Sequence, residues 1–168
     1  MKKFELTNEF VINGLGKKLY RIRALVSFHD VEAGDLGGYV ESEDNLADNG
    51  DAWVYGDAQV YGNARVCGDA QVCGDAWVCG DAQVYGNARV SGDADYATVK
   101  GFGSEYRNTT FYRGKDEKIY VVCGCFFGDL EQFRAKVRET HKNSKYAKEY
   151  LMIANLMEMH FTGQESYE

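Results

Sequence analysis

From Asp51 onward the chain repeats itself every six residues: DAWVYG, DAQVYG, NARVCG, DAQVCG, DAWVCG, DAQVYG, NARVSG, DADYAT. Valine holds one place throughout, at Val54, Val60, Val66, Val72, Val78, Val84 and Val90, and Tyr96 takes the eighth. Alanine stands two residues earlier each time, from Ala52 to Ala94. A helix is excluded, because a glycine in every sixth place would break it repeatedly. Alternation instead puts each Ala and Val on one face of a short strand, since successive side chains point to opposite sides. The Gly-Asp or Gly-Asn that follows is turn chemistry: Gly accepts positive φ, and Asp or Asn bonds back to nearby backbone. Each hexapeptide is therefore one strand and one corner, and three corners close a triangular coil of about 18 residues. Valines pile into an apolar column, alanines tuck in beside the turns, and the coils rise roughly 4.8 Å each. A short β-helix is predicted from about Val40 to Ala97. Val40 and Leu46 begin it, six residues apart, with two residues inserted before Val54.

An 18-residue coil assigns every outward position. Trp53 stacks with Gln71 and Arg89 on one face, Gln59 with Trp77 and Asp95 on the second, and Arg65 with Gln83 on the third. The residue after each valine also points outward, which places Tyr55, Tyr61, Cys67, Cys73, Cys79, Tyr85 and Ser91. Corner columns hold Asp57, Asp75 and Asp93; Asp51, Asp69 and Asn87; and Asn63 with Asp81.

Stacked strands leave open ends that must be covered, and the flanks read as covers. Residues 1–39 are predicted as an N-terminal β-hairpin cap, with strands Phe10–Ile12 and Leu19–Phe28 around an Asn13-Gly14-Leu15-Gly16 turn. The β-helix takes residues 40–99, and residues 100–168 form a C-terminal ββαα module. Its strands are Thr110–Tyr112 and Ile119–Phe126. Its first helix starts at Asp129 with a capping box to Gln132 and buries Leu130, Phe133 and Val137. Its second runs from about Ser144 to His160, with Tyr146, Tyr150, Ile153 and Met157 at helical spacing.

The repeat resembles the left-handed β-helix of the hexapeptide-repeat superfamily, known from bacterial acyltransferases. The segment GDLGGYV at 34–40 and VCGCF at 122–126 look like those of hexapeptide-repeat proteins of phages, prophages and their hosts, some labelled transferases. Left-handedness and a phage setting are what this resemblance implies; the period alone proves neither.

Charge is distributed unevenly. The net charge of −7 divides into +4 for residues 1–29, −12 for residues 30–97 and +1 for residues 98–168. Fourteen acidic side chains against Arg65 and Arg89 make the middle segment unfit to bind nucleic acid directly, which takes Lys and Arg at the phosphates. A partner with a basic surface is the natural expectation. No apolar run is long enough to span a bilayer, and the start, Met1-Lys2-Lys3-Phe4-Glu5, leads into no apolar signal core. The chain is expected in the cytoplasm of a host cell, with no membrane partner. Five cysteines, Cys67, Cys73, Cys79, Cys123 and Cys125, then read as reduced thiols and not as a disulfide framework.

Catalysis finds little footing. An acyltransferase needs a general base, the repeat has no histidine, and among His29, His141 and His160 only His29, beside Asp30, is a weak catalytic candidate. No metal site and no cofactor are expected. Cys67, Cys73 and Cys79 fall on three different faces, Cys123 and Cys125 on one side of a strand are too few for zinc, and turn chemistry suffices to explain the aspartates that might otherwise suggest Ca²⁺. The binding candidates are the outward aromatics Trp53, Tyr55, Tyr61, Trp77 and Tyr85, a residue class enriched in interface hot spots, together with the corner carboxylates Asp57, Asp75 and Asp93. Packing of those aromatics under the caps or against a second subunit is the plainer alternative. The sequence thus points to a non-enzymatic binding protein, expected as a homo-oligomer, whose acidic rod occupies a host protein, in one form by imitating nucleic acid to inhibit a defence nuclease. An acyltransferase working at a subunit interface is the alternative, and a structural component of a phage particle the third.

Overall fold

The computed structural model describes residues 1–92 and 95–163. Asp93, the third acidic corner of its column, lies outside them. The chain divides into two compact units, Met1–Asp93 and Ala94–Glu168.

In the first unit, β1 (Phe4–Ile12) and β2 (Lys18–Ala24) form the antiparallel hairpin. Its turn is held by Asn13, whose Oδ1 accepts the N–H groups of Leu15 and Lys17. The second strand ends at Ala24, short of the expected Phe28. Ala24 exchanges hydrogen bonds with Gly34 and Asp35, so residues 25–33 loop out and swing Phe28 over the solenoid. β3 (Leu36–Val40) then joins hairpin to coil, antiparallel to β2 and parallel to β5 (Gln59–Val60). This junction explains the GDLGGYV segment. A Cβ on Gly38 would sit 2.6 Å from the Ala58 carbonyl oxygen and 2.7 Å from a Val54 methyl, so only glycine lets β3 pass this close.

The repeats form two-residue strands: β4 (Trp53–Val54), β5, β6 (Arg65–Val66), β7 (Gln71–Val72), β8 (Trp77–Val78), β9 (Gln83–Val84) and β10 (Arg89–Val90). They pair in parallel with partners 18 residues apart, as the period requires: Trp53 with Gln71 and Gln71 with Arg89, Gln59 with Trp77, Arg65 with Gln83. Val40 faces Val60 and Leu46 faces Val66, both 20 residues apart, which locates the two inserted residues before Val54. The repeat valines from Val54 to Val90 are fully buried, and the alanines beside them nearly so.

At the open end of the first coil three donors meet the alanine carbonyls. Inside the stack each repeat alanine carbonyl accepts an N–H from the preceding coil, as Ala70 does from Trp53 and Ala76 from Gln59. At the end, Ala58 accepts from the β3 backbone N–H of Tyr39. Asn45 Nδ2 donates to the carbonyls of Gly62 (3.1 Å) and Ala64 (2.8 Å). The buried Lys3 Nζ donates in the same manner to Gly50 (3.2 Å) and Ala52 (2.8 Å). Two side chains thus replace a missing turn of backbone.

Among its described residues the second unit holds four strands, two more than the expected module. β11 (Tyr96–Val99), β12 (Thr109–Arg113), β13 (Ile119–Cys123) and β14 (Phe126–Asp129) form an antiparallel meander in chain order. β11 comes from Tyr96, which the period alone would assign to an eighth repeat strand. The expected single strand Ile119–Phe126 is a hairpin, because Gly124 takes φ +60 and folds the chain back so that Cys123 faces Phe126. Two helices follow, α1 (Leu130–His141) and α2 (Lys145–Thr162). Asp129 and Gln132 form the reciprocal capping box, with both bonds at 2.8 Å. Ser144 caps α2, and Gly163 ends it in the left-handed region. Phe111, Ile119 and Val121 of the sheet pack against Leu130, Phe133 and Val137 of α1 and Tyr150, Ile153 and Met157 of α2. The buried Arg134 joins the two helices through Glu131, Glu158 and Asn155.

Candidate functional site

Two regions carry candidate chemistry, one in each unit. On the solenoid, the proposed aromatic surface divides. Trp53 does point out of the coil, but the cap covers it: it is 1% exposed, edge-on to Phe4 and Phe28. Tyr61 is likewise buried beneath the cap, against Leu19 and Tyr39. Neither is available to a partner, because the hairpin that closes the coil end also extends down its side. Tyr55 is half-buried, and its hydroxyl donates to Asp30 Oδ1 at 2.7 Å; burial first, and then that carboxylate, push its pKa up. Tyr85 is half-buried, with burial raising its pKa. Trp77 is 43% exposed. Of the five aromatics, it alone presents a large open surface.

The carboxylates behave differently. Asp57 and Asp75 are both exposed, one coil apart on the same corner. The Arg21 guanidinium reaches to 3.8 Å from Asp57, whose side chain stays 80% exposed. Much of the basic cap is used internally. Lys17 pairs with Glu41, Arg23 with Glu5, Lys2 with Glu43, and Lys3 caps the coil. Glu41 also accepts the Gly62 N–H, and this bond, more than Lys17, lowers its pKa. The first unit holds eight Lys and Arg against fifteen Asp and Glu, so the whole net charge of −7 resides there; the second unit balances eleven against eleven.

His29 stands on the loop after β2 with φ +46, its Nε2 3.9 Å from Asp30 Oδ1. The same carboxylate oxygen is already bonded to Tyr55, so the three form a small polar cluster that fastens the loop to the solenoid. Cys67, Cys73 and Cys79 are partly buried on separate faces, with Cys73 Sγ 3.4 Å from Ser91 Oγ in its own column. Among the described residues no group of three or more His, Cys, Asp or Glu side chains is placed to hold a metal ion, and no helix is long and apolar enough to cross a membrane.

Residues 58–74 and 82–94 match the family model of the YdcK Beta solenoid repeat. The repeat is a β-solenoid. The match falls on the hexapeptide repeats and leaves the cap hairpin and everything after residue 94 outside it. None of the curated proteins compared with the chain matches it.

The second region has no counterpart among the sites expected from the sequence. A cleft of about 320 Å³ opens in the second unit between the loop at 104–107, the β13–β14 turn, α1 and Tyr150 of α2. Phe126, Phe133, Val137 and Tyr150 give it an apolar floor. Arg107, Lys136 and His141 stand on its walls with Glu105 as its one carboxylate, and both Cys123 and Cys125 face it. Cys125 sits in the turn and not on a shared strand side with Cys123, which corrects the alternation expected of them. The Cys123 thiol accepts from Thr109 Oγ1 at 3.2 Å and lies 3.8 Å from Tyr150 Oη. Burial, and next the neighbouring Cys123, push the Tyr150 hydroxyl up to about 12. The signal that would have flagged the cleft was Cys-Gly-Cys read as a turn, with Gly as its first central residue.

Proposed function

We propose that this protein is a non-enzymatic binding protein whose solenoid occupies the basic surface of a partner protein. The observation that carries this reading is the ledge of corner carboxylates. Asp57 and Asp75 stand exposed and stacked on a unit that holds all the net negative charge; Lys2, Lys3, Lys17 and Arg23 are engaged elsewhere, and Arg21 reaches Asp57 only at 3.8 Å. Carboxylates fixed to a rigid β-stack repeat at about 4.8 Å, the same order as the one charge per about 3.4 Å of axis that a nucleic-acid strand presents. A groove in another protein built for phosphates fits such a ledge, and charge complementarity steers the encounter. The loss of Trp53 and Tyr61 to the cap shifts the weight from aromatic anchors to charge, with Trp77 the remaining aromatic contact.

The resemblance to phage and prophage hexapeptide-repeat proteins supplies the finer part of the reading: a left-handed coil, a cytoplasmic setting in a bacterial host, and a host nuclease as the partner. Self-association belongs to the same proposal, since Met152, Leu156 and Met159 form an exposed apolar stripe on α2.

The test is affinity capture from a bacterial lysate with wild-type protein and with the double variant Asp57→Lys, Asp75→Lys. A basic protein held by the wild type at low salt, released as salt rises and missed by the double variant is the expected result. Equal capture by both proteins, or capture indifferent to salt, would overturn the reading.

A further inference from the structure

The cleft of the second unit carries an inference independent of the solenoid. Its position is built and not incidental. Gly124 gives the β13–β14 turn, and the Arg107 guanidinium lies directly on it: a Cβ added to Gly124 would fall 1.8 Å from Nη1. The absent side chain is the space that lets Arg107 stand at the mouth. Across the cleft, Tyr150 is fixed by a hydrogen bond from its hydroxyl to the Phe102 carbonyl (3.4 Å) and by close packing on Gly103. Its ring packs edge-on to Phe133, 5.6 Å between centroids, and the His141 ring lies 5.7 Å from it. The floor is therefore rigid and aromatic, while the charged groups stand at the rim.

The charges select the ligand. Lys136 pairs with Glu139 at 3.0 Å, and Glu105 is the only acid on the lining. Arg107 makes no ion pair among the described residues, so its bidentate donor face is directed to whatever enters. About 320 Å³ lies at the small end of ligand-binding clefts; it admits one ring or short chain. We propose that the cleft binds a small organic anion, with its aryl or alkyl group on the Phe126–Phe133–Tyr150 floor and its carboxylate or phosphate against Arg107.

Cys125, exposed in the turn, reports occupancy. Reduced full-length protein is alkylated with iodoacetamide, and modification at each cysteine is read by peptide mass spectrometry. The additions are phenyl phosphate, phenylacetate, inorganic phosphate or benzyl alcohol. Phenyl phosphate, phenylacetate or both slow alkylation at Cys125 in a saturable manner and leave Cys67, Cys73 and Cys79 unchanged; which of the two protects identifies the headgroup. Arg107→Met, and independently Gly124→Ala, which displaces the guanidinium, raise the half-protecting concentration about tenfold, the loss of one charge-assisted hydrogen bond. Far-UV circular dichroism confirms that each variant keeps its fold, and Arg107→Gln supplies a second charge variant at the same position should either fail. The proposal is overturned if neither aryl anion protects, if inorganic phosphate or benzyl alcohol protects equally well, or if the folded charge variants bind like the wild type.

Discussion

Two residues that no repeat pattern singles out hold the solenoid's first coil closed. Lys3 and Asn45 each direct a nitrogen at a pair of carbonyls two residues apart, Gly50 with Ala52 and Gly62 with Ala64. Lys3 is 3% exposed and Asn45 1%, so neither carbonyl pair turns to water if its donor is removed. Replacing Lys3 with Met keeps the apolar stem and deletes the donor, leaving Ala52 unsatisfied at a cost of about 2 kcal/mol. A urea midpoint followed by tryptophan fluorescence checks it, and Lys2→Met, which removes only an exposed pair with Glu43, leaves that midpoint in place. Asn45→Asp is the sharper variant. Its volume is unchanged, but a carboxylate then faces two carbonyls, and the loss exceeds that of Asn45→Ala in the same measurement. In the second unit Tyr150 sets a pH limit. Its hydroxyl stays protonated in the fold up to about 12, while in the unfolded chain it ionises near 10. Its contribution to stability is therefore complete below pH 10 and is lost as pH rises from 10 towards 12. A titration of phenolate absorbance shows several late-ionising tyrosines; Tyr150→Phe removes one of them, and Tyr55 and Tyr85 in the solenoid keep theirs.

At the scale of elements, glycines decide where strands go. Gly38→Ala forces a methyl against the Ala58 carbonyl and Val54, an overpacking cost of about 1–3 kcal/mol read in the same fluorescence melt. The sequence pattern makes the solenoid legible to the residue. A six-residue period fixes register, wall membership and which side chains stack, and even the two-residue insertion shows as a break in the valine count. The capping box at Asp129 is equally local, since its partner is three residues away. What escapes is long-range. Trp53 and Tyr61 point outward by alternation, and only the path of the hairpin across the coil's side buries them. Tyr96 keeps the phase of the repeat yet pairs with Tyr112 on the second unit's sheet, because strand pairing there is settled by partners distant in sequence. The cleft escapes for the same reason. Arg107, Cys125, His141 and Tyr150 share no spacing and are brought together by a loop, a turn and two helices.

At the scale of the whole molecule, charge and packing are divided along the same line. The first unit carries the full −7 and both tryptophans, and the second carries no net charge and both helices. Each has a core of its own, a valine column in one and the Phe133–Tyr150 cluster in the other. Tryptophan emission therefore reports the solenoid alone, and ellipticity at the helical minimum reports mainly α1 and α2. We predict that urea unfolding followed by the two probes gives transitions that do not coincide, the signature of two cooperative units. Salt separates them further in a defined direction. Repulsion among the uncompensated carboxylates of the first unit opposes its compact state, and salt screens repulsion between exposed charges. Raising sodium chloride from low to physiological strength should move the fluorescence midpoint to higher urea while leaving the helical midpoint nearly fixed. Asp57→Lys, Asp75→Lys should reproduce that shift at low salt, because it takes four units of negative charge off the same unit. If both probes moved together under salt, the acidic ledge would be coupled to the helices and the solenoid would not be an independent scaffold.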